Sequence, residues 1–173
     1  EAALSTGNLE PWEPKINQAD ERDKTTEPIK PEIIQSFHEA LTPDHYTFLN
    51  KVRGLTKKTI ERYKIGFDRA QKVKDAETGI WYDGRIVIPI RDKASQYRNL
   101  RAYSNKCDPQ FKMINYVVDK GKPTEKAYGK PMRLMNLDRL VNDPRVEHVI
   151  VCGGEFDCIL LDQMLQAAGY DTW

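Results

Sequence analysis

The fold of this chain is decided by the stretch Val149-Ile150-Val151-Cys152-Gly153-Gly154-Glu155-Phe156-Asp157, which leads into an apolar-rich run from Cys158 to Ala168. An apolar burst that breaks at a glycine pair and resumes with helical spacing predicts a buried parallel strand, a tight turn and a helix. In such folds ligands bind at the carboxyl end of the strand, because loops there direct side chains and amides at one point. The pattern therefore places a candidate site at this turn.

Two carboxylates, Glu155 and Asp157, stand at the predicted strand tip. Carboxylates in that position hold Mg²⁺ beside phosphates, because Mg²⁺ takes few protein oxygens and keeps several waters. Asp157 is also placed to cap the following helix by accepting from its first free amides. The sequence ends at Trp173, one residue pair into the next strand expected of such a fold, so we expect only half of the site in this chain.

The composition is that of one ordinary domain, or of a small domain with part of another, since the chain has 173 residues. Charged residues make up 31% of it, and no apolar run approaches membrane-spanning length, which excludes a membrane span and predicts a cytoplasmic protein. The three cysteines form no CxxC pair, so a zinc ribbon within the chain is not expected, and their odd number favours a reducing compartment.

Charge is distributed unevenly along the chain although the net charge is +1. Residues 51–74 carry nine bases and two acids, and residues 85–133 carry twelve bases and four acids. The last forty residues reverse this balance, with two bases and seven acids. A basic middle beside an acidic end is expected when one part binds a phosphate backbone and the other holds a cation, although a solvated charged surface is an alternative.

The sequence pattern divides the chain into four segments. Residues 1–30 are polar, contain three prolines and predict a flexible linker. Residues 31–70 predict a small helical subdomain, with helices beginning at Pro31, Thr42-Pro43 and Thr56. Residues 71–133 predict a basic, antiparallel β subdomain, and residues 134–173 the first βα unit of a parallel α/β domain. The predicted class is therefore α+β leading into a truncated α/β unit.

A β-hairpin is the main feature of the basic segment. Ile86, Ile88 and Ile90 alternate in the run Arg85–Arg91, which predicts a strand. Pro89 lacks an amide donor, so this strand should lie at an edge or carry a bulge. The partner strand is predicted at 97–103, with Arg101 on the same face as its tyrosines. Interleaved basic and aromatic side chains suit nucleic acid, although the tyrosines could equally just cover the sheet.

These segments together resemble the polymerase core of bacterial-type, DnaG-like primases, in particular those of phages and mobile elements. The resemblance covers about residues 31–173. It is carried by the order and spacing of four runs: Gly54-Leu55-Thr56 through Lys64-Ile65-Gly66-Phe67; Gly84-Arg85-Ile86-Val87-Ile88-Pro89-Ile90-Arg91-Asp92; Asn99-Leu100-Arg101-Ala102-Tyr103; and Asn136-Leu137-Asp138-Arg139-Leu140 before the Val149 run.

The resemblance implies a fold and an activity. The fold is a helical and β region leading into a TOPRIM domain, which is Rossmann-like. The activity is that of a nucleotidyltransferase in DNA replication, which makes RNA primers on single-stranded DNA from ribonucleoside triphosphates with Mg²⁺. Family members also work with a replicative helicase, in trans or fused, and usually carry a zinc-binding domain upstream. Basic residues similar to those lining the family's template and nucleotide groove are Arg85, Arg98, Arg101 and Lys112.

Two departures from the family pattern bear on catalysis. The first TOPRIM motif reads Glu-Gly-x-x-Asp, and its catalytic glutamate aligns with Gly153, while Asp157 matches the final aspartate. Glu155 falls where the family pattern is variable, and it is the remaining candidate for a catalytic carboxylate. The family's paired-aspartate metal motif would lie beyond Trp173, so no complete metal site and no primer synthesis are expected of this chain alone.

Two alternatives to a primase stay open. One is another TOPRIM enzyme, a topoisomerase or a nuclease, which would share the strand, turn and helix but not the hairpin that begins at Arg85. The other is a non-catalytic DNA-binding or adaptor domain, which the glycine at position 153 favours.

Overall fold

A computed structural model describes residues 28–75, 77–116 and 134–170 of the chain. The helices in these ranges are α1 (Pro31–Glu39), α2 (Pro43–Lys51), α3 (Lys57–Arg62), α4 (Leu137–Asn142) and α5 (Glu155–Ala167). The strands are β1 (Gly66–Asp68), β2 (Val73–Lys74), β3 (Trp81–Tyr82), β4 (Arg85–Arg91), β5 (Tyr97–Tyr103) and β6 (Met113–Asn115). Helices and an antiparallel sheet are thus combined, as the predicted α+β class requires.

The three predicted helices of the amino-terminal part are confirmed. A proline occupies the first turn of α1 and of α2, where a missing amide costs nothing. Thr56 caps α3 by accepting from the amide of Thr59 at 3.2 Å. Gly54 has φ +72°, a conformation that glycine adopts without strain, and it turns the chain between α2 and α3.

A four-stranded antiparallel sheet, in the order β1-β4-β5-β6, forms the centre of the fold. The predicted hairpin is its β4–β5 pair. Pro89 is tolerated within β4 because β1 pairs only with residues 85–87, so β4 has a single neighbour at the proline. A register shift follows at Ile90/Arg91, and beyond it Tyr97 packs against the core opposite to that of Tyr103. The prediction that Tyr97 shares the Arg101 face is therefore wrong.

The sheet separates two apolar cores. On one face Ile86, Ile88 and Tyr103 pack with residues of α2, α3 and α5, among them Phe156 and Ile159. The other face packs against α1 and a residue that precedes it. The buried residues of this second core are Ile29, Ile34, Val87, Leu100, Ala102 and Tyr116. The helical and β segments thus share their cores, although the division of the chain into four segments stays a prediction.

The predicted linker is too long at its carboxyl end. Ile29 is buried, and its amide donates to the carbonyl of Tyr97 at 2.7 Å. Residue 29 therefore belongs to the packed fold, because an apolar side chain beside α1 completes the second core. The rest of that segment, residues 1–27, lies outside the described residues, as do residues 117–133.

The terminal strand–helix unit forms only in part. A helix follows the turn as predicted, but α5 begins at Glu155, three residues before the expected start at Cys158, so Asp157 lies within its first turn and not before it. Residues 149–151 are not a strand. Val149, Ile150 and Val151 are 60%, 61% and 87% exposed. A strand requires a hydrogen-bonded neighbour, and no strand among the described residues lies beside this run. The predicted buried strand is therefore absent from the described structure. None of the described helices has the length and apolar character needed to cross a bilayer.

His45 makes the start of α2 sensitive to pH. Its Nδ1 accepts a hydrogen bond from the amide of Thr42 at 3.0 Å, and its ring lies 4.0 Å from that of Phe67, between centroids. Burial lowers the pKa of His45 below its usual 6.5, an effect opposed by Asp44 and reinforced by Arg69. The folded state thus favours the neutral imidazole, which is the form that can accept at Nδ1.

We expect the stability contributed by His45 to be complete above about pH 6.5 and to be lost as the pH falls through its lowered folded-state pKa. The free energy of unfolding, measured by urea denaturation between pH 7.5 and 5.5, should fall more in the wild type than in His45→Gln. Glutamine at this position keeps an acceptor for the capping amide and does not titrate. The exposed His148 provides the control, and His148→Gln should follow the wild type. Parallel curves for wild type and His45→Gln would contradict the assignment.

Candidate functional site

The turn before α5 is held against the sheet by an ion pair. Gly154 is the residue before α5 and has an extended backbone, so Glu155 is the first helical residue. The Nε atom of Arg101, on β5, lies 2.7 Å from Oε1 of Glu155, and both side chains are more than four-fifths buried. Arg101 also donates through Nη1 to Asn115 on β6. Glu155 is thus fixed by the sheet and is neutralised by a cation.

The two other residues predicted at this turn are exposed. A side chain at Gly153 would meet no atom within 4 Å of its Cβ, and the φ of Gly153 is outside the left-handed region. Asp157 lies in the first turn of α5, where a negative charge is favourable beside the helix amino terminus. No first-turn amide donates to the Asp157 carboxylate among the described contacts, so the predicted capping bond is not formed.

The four predicted basic residues are not brought together into one groove. Arg85 is buried and donates through Nη1 to the carbonyl of Phe111 at 2.9 Å, which fixes the segment before β6. Arg98 Nε lies 2.6 Å from Oδ2 of Asp92. Lys112 is exposed. Arg85 thus makes a structural contact, and the nucleic-acid role of Arg85, Arg98, Arg101 and Lys112 stays a prediction.

An arginine that the sequence did not single out borders the same turn. The guanidinium carbon of Arg53 lies 4.6 Å from the ring centroid of Tyr103 and 4.5 Å from that of Phe156. These two rings meet edge to face at 5.1 Å, so they hold the cation beside the residue that follows Glu155. No spacing in the sequence relates Arg53 to rings 50 and 103 positions away, and only the tertiary fold brings them together.

Exposed aromatic and basic side chains occur in β3 and in the segment before β6, and we treat them as one candidate surface because Lys106 of one segment contacts Tyr82 of the other. We name it the aromatic–basic patch, and its members are Trp81, Tyr82, Lys106, Phe111 and Lys112. Trp81 and Phe111 are 63% and 50% exposed. Lys106 Nζ lies 5.4 Å from the ring centroid of Tyr82, which joins the two segments. Exposed rings beside cations provide stacking surface and positive charge together.

The residues at the turn do not form a magnesium site within the described ranges. Glu155 is already paired with Arg101, and Asp157 stands alone as an exposed carboxylate. No group of three His, Cys, Asp or Glu side chains suited to a metal occurs in the parts of the chain that the structure describes. Within the described residues the turn therefore offers one paired and one exposed carboxylate.

Comparison with solved structures supports the predicted fold. The structure of the DnaG catalytic core matches 76% of this chain and 49% of that chain, with a TM-score of 0.51 and 20% identity. The E. coli primase catalytic core matches 49% of this chain and 36% of that chain, with a TM-score of 0.36 and 22% identity. A DnaG primase catalytic domain bound to single-stranded DNA gives the same four values.

This chain therefore has the fold of part of a DnaG catalytic core, and it spans between about a third and a half of the solved chains that it matches. The predicted resemblance is confirmed at the level of the fold. No protein-family model matches the sequence. No curated protein is significantly similar to it.

Proposed function

We propose that this chain is part of the catalytic core of a DNA primase, which synthesises RNA primers on single-stranded DNA. The observation that carries the proposal is the fold, which follows the DnaG catalytic core over three quarters of the chain. The β4–β5 hairpin, which the topoisomerase and nuclease alternatives do not predict, is part of that fold. In the proposed protein the residues beyond α5 complete a TOPRIM domain and supply the aspartates that bind Mg²⁺.

The proposed partners are a single-stranded DNA template, ribonucleoside triphosphates and a replicative helicase. Single-stranded DNA presents one phosphate per nucleotide and bases with free ring faces, which cations and exposed aromatic rings bind together. The aromatic–basic patch has both kinds of side chain on its surface, whereas Arg85 and Arg98 are committed to internal contacts. We therefore place the template on this patch, with Arg53 at the end nearest α5.

A non-catalytic DNA-binding role is the second candidate, and two observations favour it. Gly153 stands where the family pattern has its catalytic glutamate, and the nearby Glu155 is neutralised by Arg101. Both candidates require binding to single-stranded DNA, and only the primase candidate requires primer synthesis. A primer-synthesis assay with Mg²⁺ and ribonucleotides, run on the complete protein, separates the two.

Replacing Lys106 and Lys112 together by glutamine should weaken binding to a single-stranded oligonucleotide and reduce its salt dependence. Each phosphate contact contributes about 0.7 to the slope of log affinity against log salt, so the double variant should lower the slope by about 1.4. Fluorescence anisotropy at several salt concentrations gives the slope. In a second variant, Trp81→Ala should weaken binding by about 1–3 kcal/mol and leave the slope unchanged.

The matched control for the lysine variant is Arg145→Gln. Arg145 is exposed, pairs locally with Asp143 and lies outside the patch, so its removal should leave the slope as in the wild type. If the double lysine variant keeps the wild-type slope, the template does not bind on the aromatic–basic patch. If the unaltered protein shows no binding to single-stranded DNA at low salt, both functional candidates are wrong.

A further inference from the structure

A cleft lined by three arginines lies apart from the turn at Glu155. It opens where α3 and α4 approach the ends of β4 and β5, and it is a small cleft that is partly open to solvent. Arg62, Arg91 and Arg139 line it, together with Tyr63, Tyr97 and Asp138. Asp162, which pairs with two of the arginines, comes seven residues after Glu155, or roughly 10 Å further along α5.

The three guanidinium groups share two carboxylates. Arg62 pairs with Asp162, and Arg139 Nη1 lies 3.1 Å from the other oxygen of the same carboxylate. Arg91 Nη1 lies 3.9 Å from Oδ2 of Asp138, which is a loose contact. Three arginines and one carboxylate, Asp138, are among the residues that line this partly enclosed site, so its lining is predominantly positive. An excess of positive charge in such surroundings favours the binding of an anion.

The hydrogen bonding of Arg62 is incomplete. Its Nε is buried and has no hydrogen-bond acceptor among the described residues. Burial lowers the pKa of Arg62 below its ordinary value; Tyr63 opposes the shift, and the like charge of Arg139 adds to it. A buried donor without an acceptor is costly. An anion in the cleft would supply an acceptor.

The tyrosine rings hold these cations in place. The guanidinium carbons of Arg62 and Arg139 lie 5.1 Å and 5.4 Å from the ring centroid of Tyr63. That of Arg91 lies 5.0 Å from the ring centroid of Tyr97. Because the rings are engaged by guanidinium groups, the cleft is suited to a compact anion with several oxygens and not to a stacked base. Guanidinium forks match the geometry of phosphate oxygens.

We propose that this cleft binds a phosphate group through Arg62, Arg91 and Arg139. The group can belong to a nucleotide, to a nucleic-acid backbone or to free phosphate, which present the same oxygens. The site is distinct from the turn at Glu155 and from the aromatic–basic patch. Its existence does not depend on the proposed primase function.

The test uses the whole chain and inorganic phosphate, with affinity measured by titration calorimetry. Arg91→Gln is the main variant, because Arg91 is the most exposed of the three arginines and has the loosest ion pair, so the fold should survive. We expect phosphate affinity to fall by about 10-fold or more, as for the loss of a hydrogen bond to a charged group. Arg145→Gln removes the same charge outside the cleft and should bind phosphate as the wild type does.

Two further arms complete the test. Arg91→Lys keeps the positive charge and loses the paired N–H donors of the guanidinium group, so its phosphate affinity should lie between those of the wild type and Arg91→Gln. Repeating the titration with ATP and with a dT oligonucleotide identifies the source, since the natural ligand should bind most tightly and lose affinity in Arg91→Gln. Equal phosphate affinity in the wild type and Arg91→Gln, or no phosphate binding by the wild type, overturns the proposal.

Discussion

Asp162→Ala should lower the free energy of unfolding by about 3–5 kcal/mol, the range typical of removing one partner from a buried ion pair. Asp162 is buried in α5 and accepts a hydrogen bond from the hydroxyl of Tyr63 at 2.7 Å. It also pairs with Arg62 of α3 and Arg139 of α4. The variant removes the carboxylate that two largely buried cations and a buried hydroxyl share, so three helices lose a common contact.

Urea denaturation followed by circular dichroism measures this effect. Glu61→Ala is the control, since it also removes a carboxylate paired with a cation, but its contact with Lys57 is exposed and 3.9 Å long. That variant should change stability by about 1 kcal/mol or less. Asp162→Asn keeps a hydrogen-bond acceptor and loses the charge, so its loss of stability should lie between those of Asp162→Ala and Glu61→Ala. A loss in Asp162→Ala no larger than that in Glu61→Ala would show that the cluster does not stabilise the fold.

Local patterns in the sequence predicted most of the fold. The prolines at the starts of α1 and α2, the cap at Thr56 and the alternation of Ile86, Ile88 and Ile90 act within a few residues, and each gave the observed element. The run at residues 149–151 did not form the predicted strand, because apolar residues become a strand only when a neighbouring strand pairs with them through hydrogen bonds. Strand formation there depends on tertiary partners, which a local pattern does not contain.

The candidate site was predicted less well than the fold, for a related reason. The position of the turn at Gly153 and Gly154 followed from the apolar run and the helix after it. The functions of the arginines did not follow, because the sequence does not distinguish an arginine that faces solvent from one that is paired with an acceptor inside the fold. Arg85 is buried against a carbonyl 26 residues away, and Arg53 meets rings in β5 and α5. Composition predicts a basic segment, and only packing decides which of its cations remain available.

Gly153→Glu should raise primer synthesis by about 10²–10⁴-fold in a protein that carries the proposed paired aspartates, the range that one positioned general acid or base contributes. The backbone permits the change, because no atom lies within 4 Å of a Cβ at Gly153 and its φ is outside the left-handed region. A carboxylate one residue before Gly154 would also lie beside the amino terminus of α5, where negative charge is favoured. We therefore expect the variant to fold as the wild type does.

The measurement is the yield of RNA primers on a single-stranded template with Mg²⁺ and ribonucleotides. Gly153→Gln is the control, since it adds a side chain of the same size that neither ionises nor transfers a proton, and it should leave the yield unchanged. High and equal activity in the wild type and Gly153→Glu would show that Glu155 or another residue acts in its place and that the motif is wrongly aligned. Absence of activity in both, with folding and DNA binding intact, would favour the non-catalytic role, because a restored carboxylate is of no use where the remaining catalytic groups are missing.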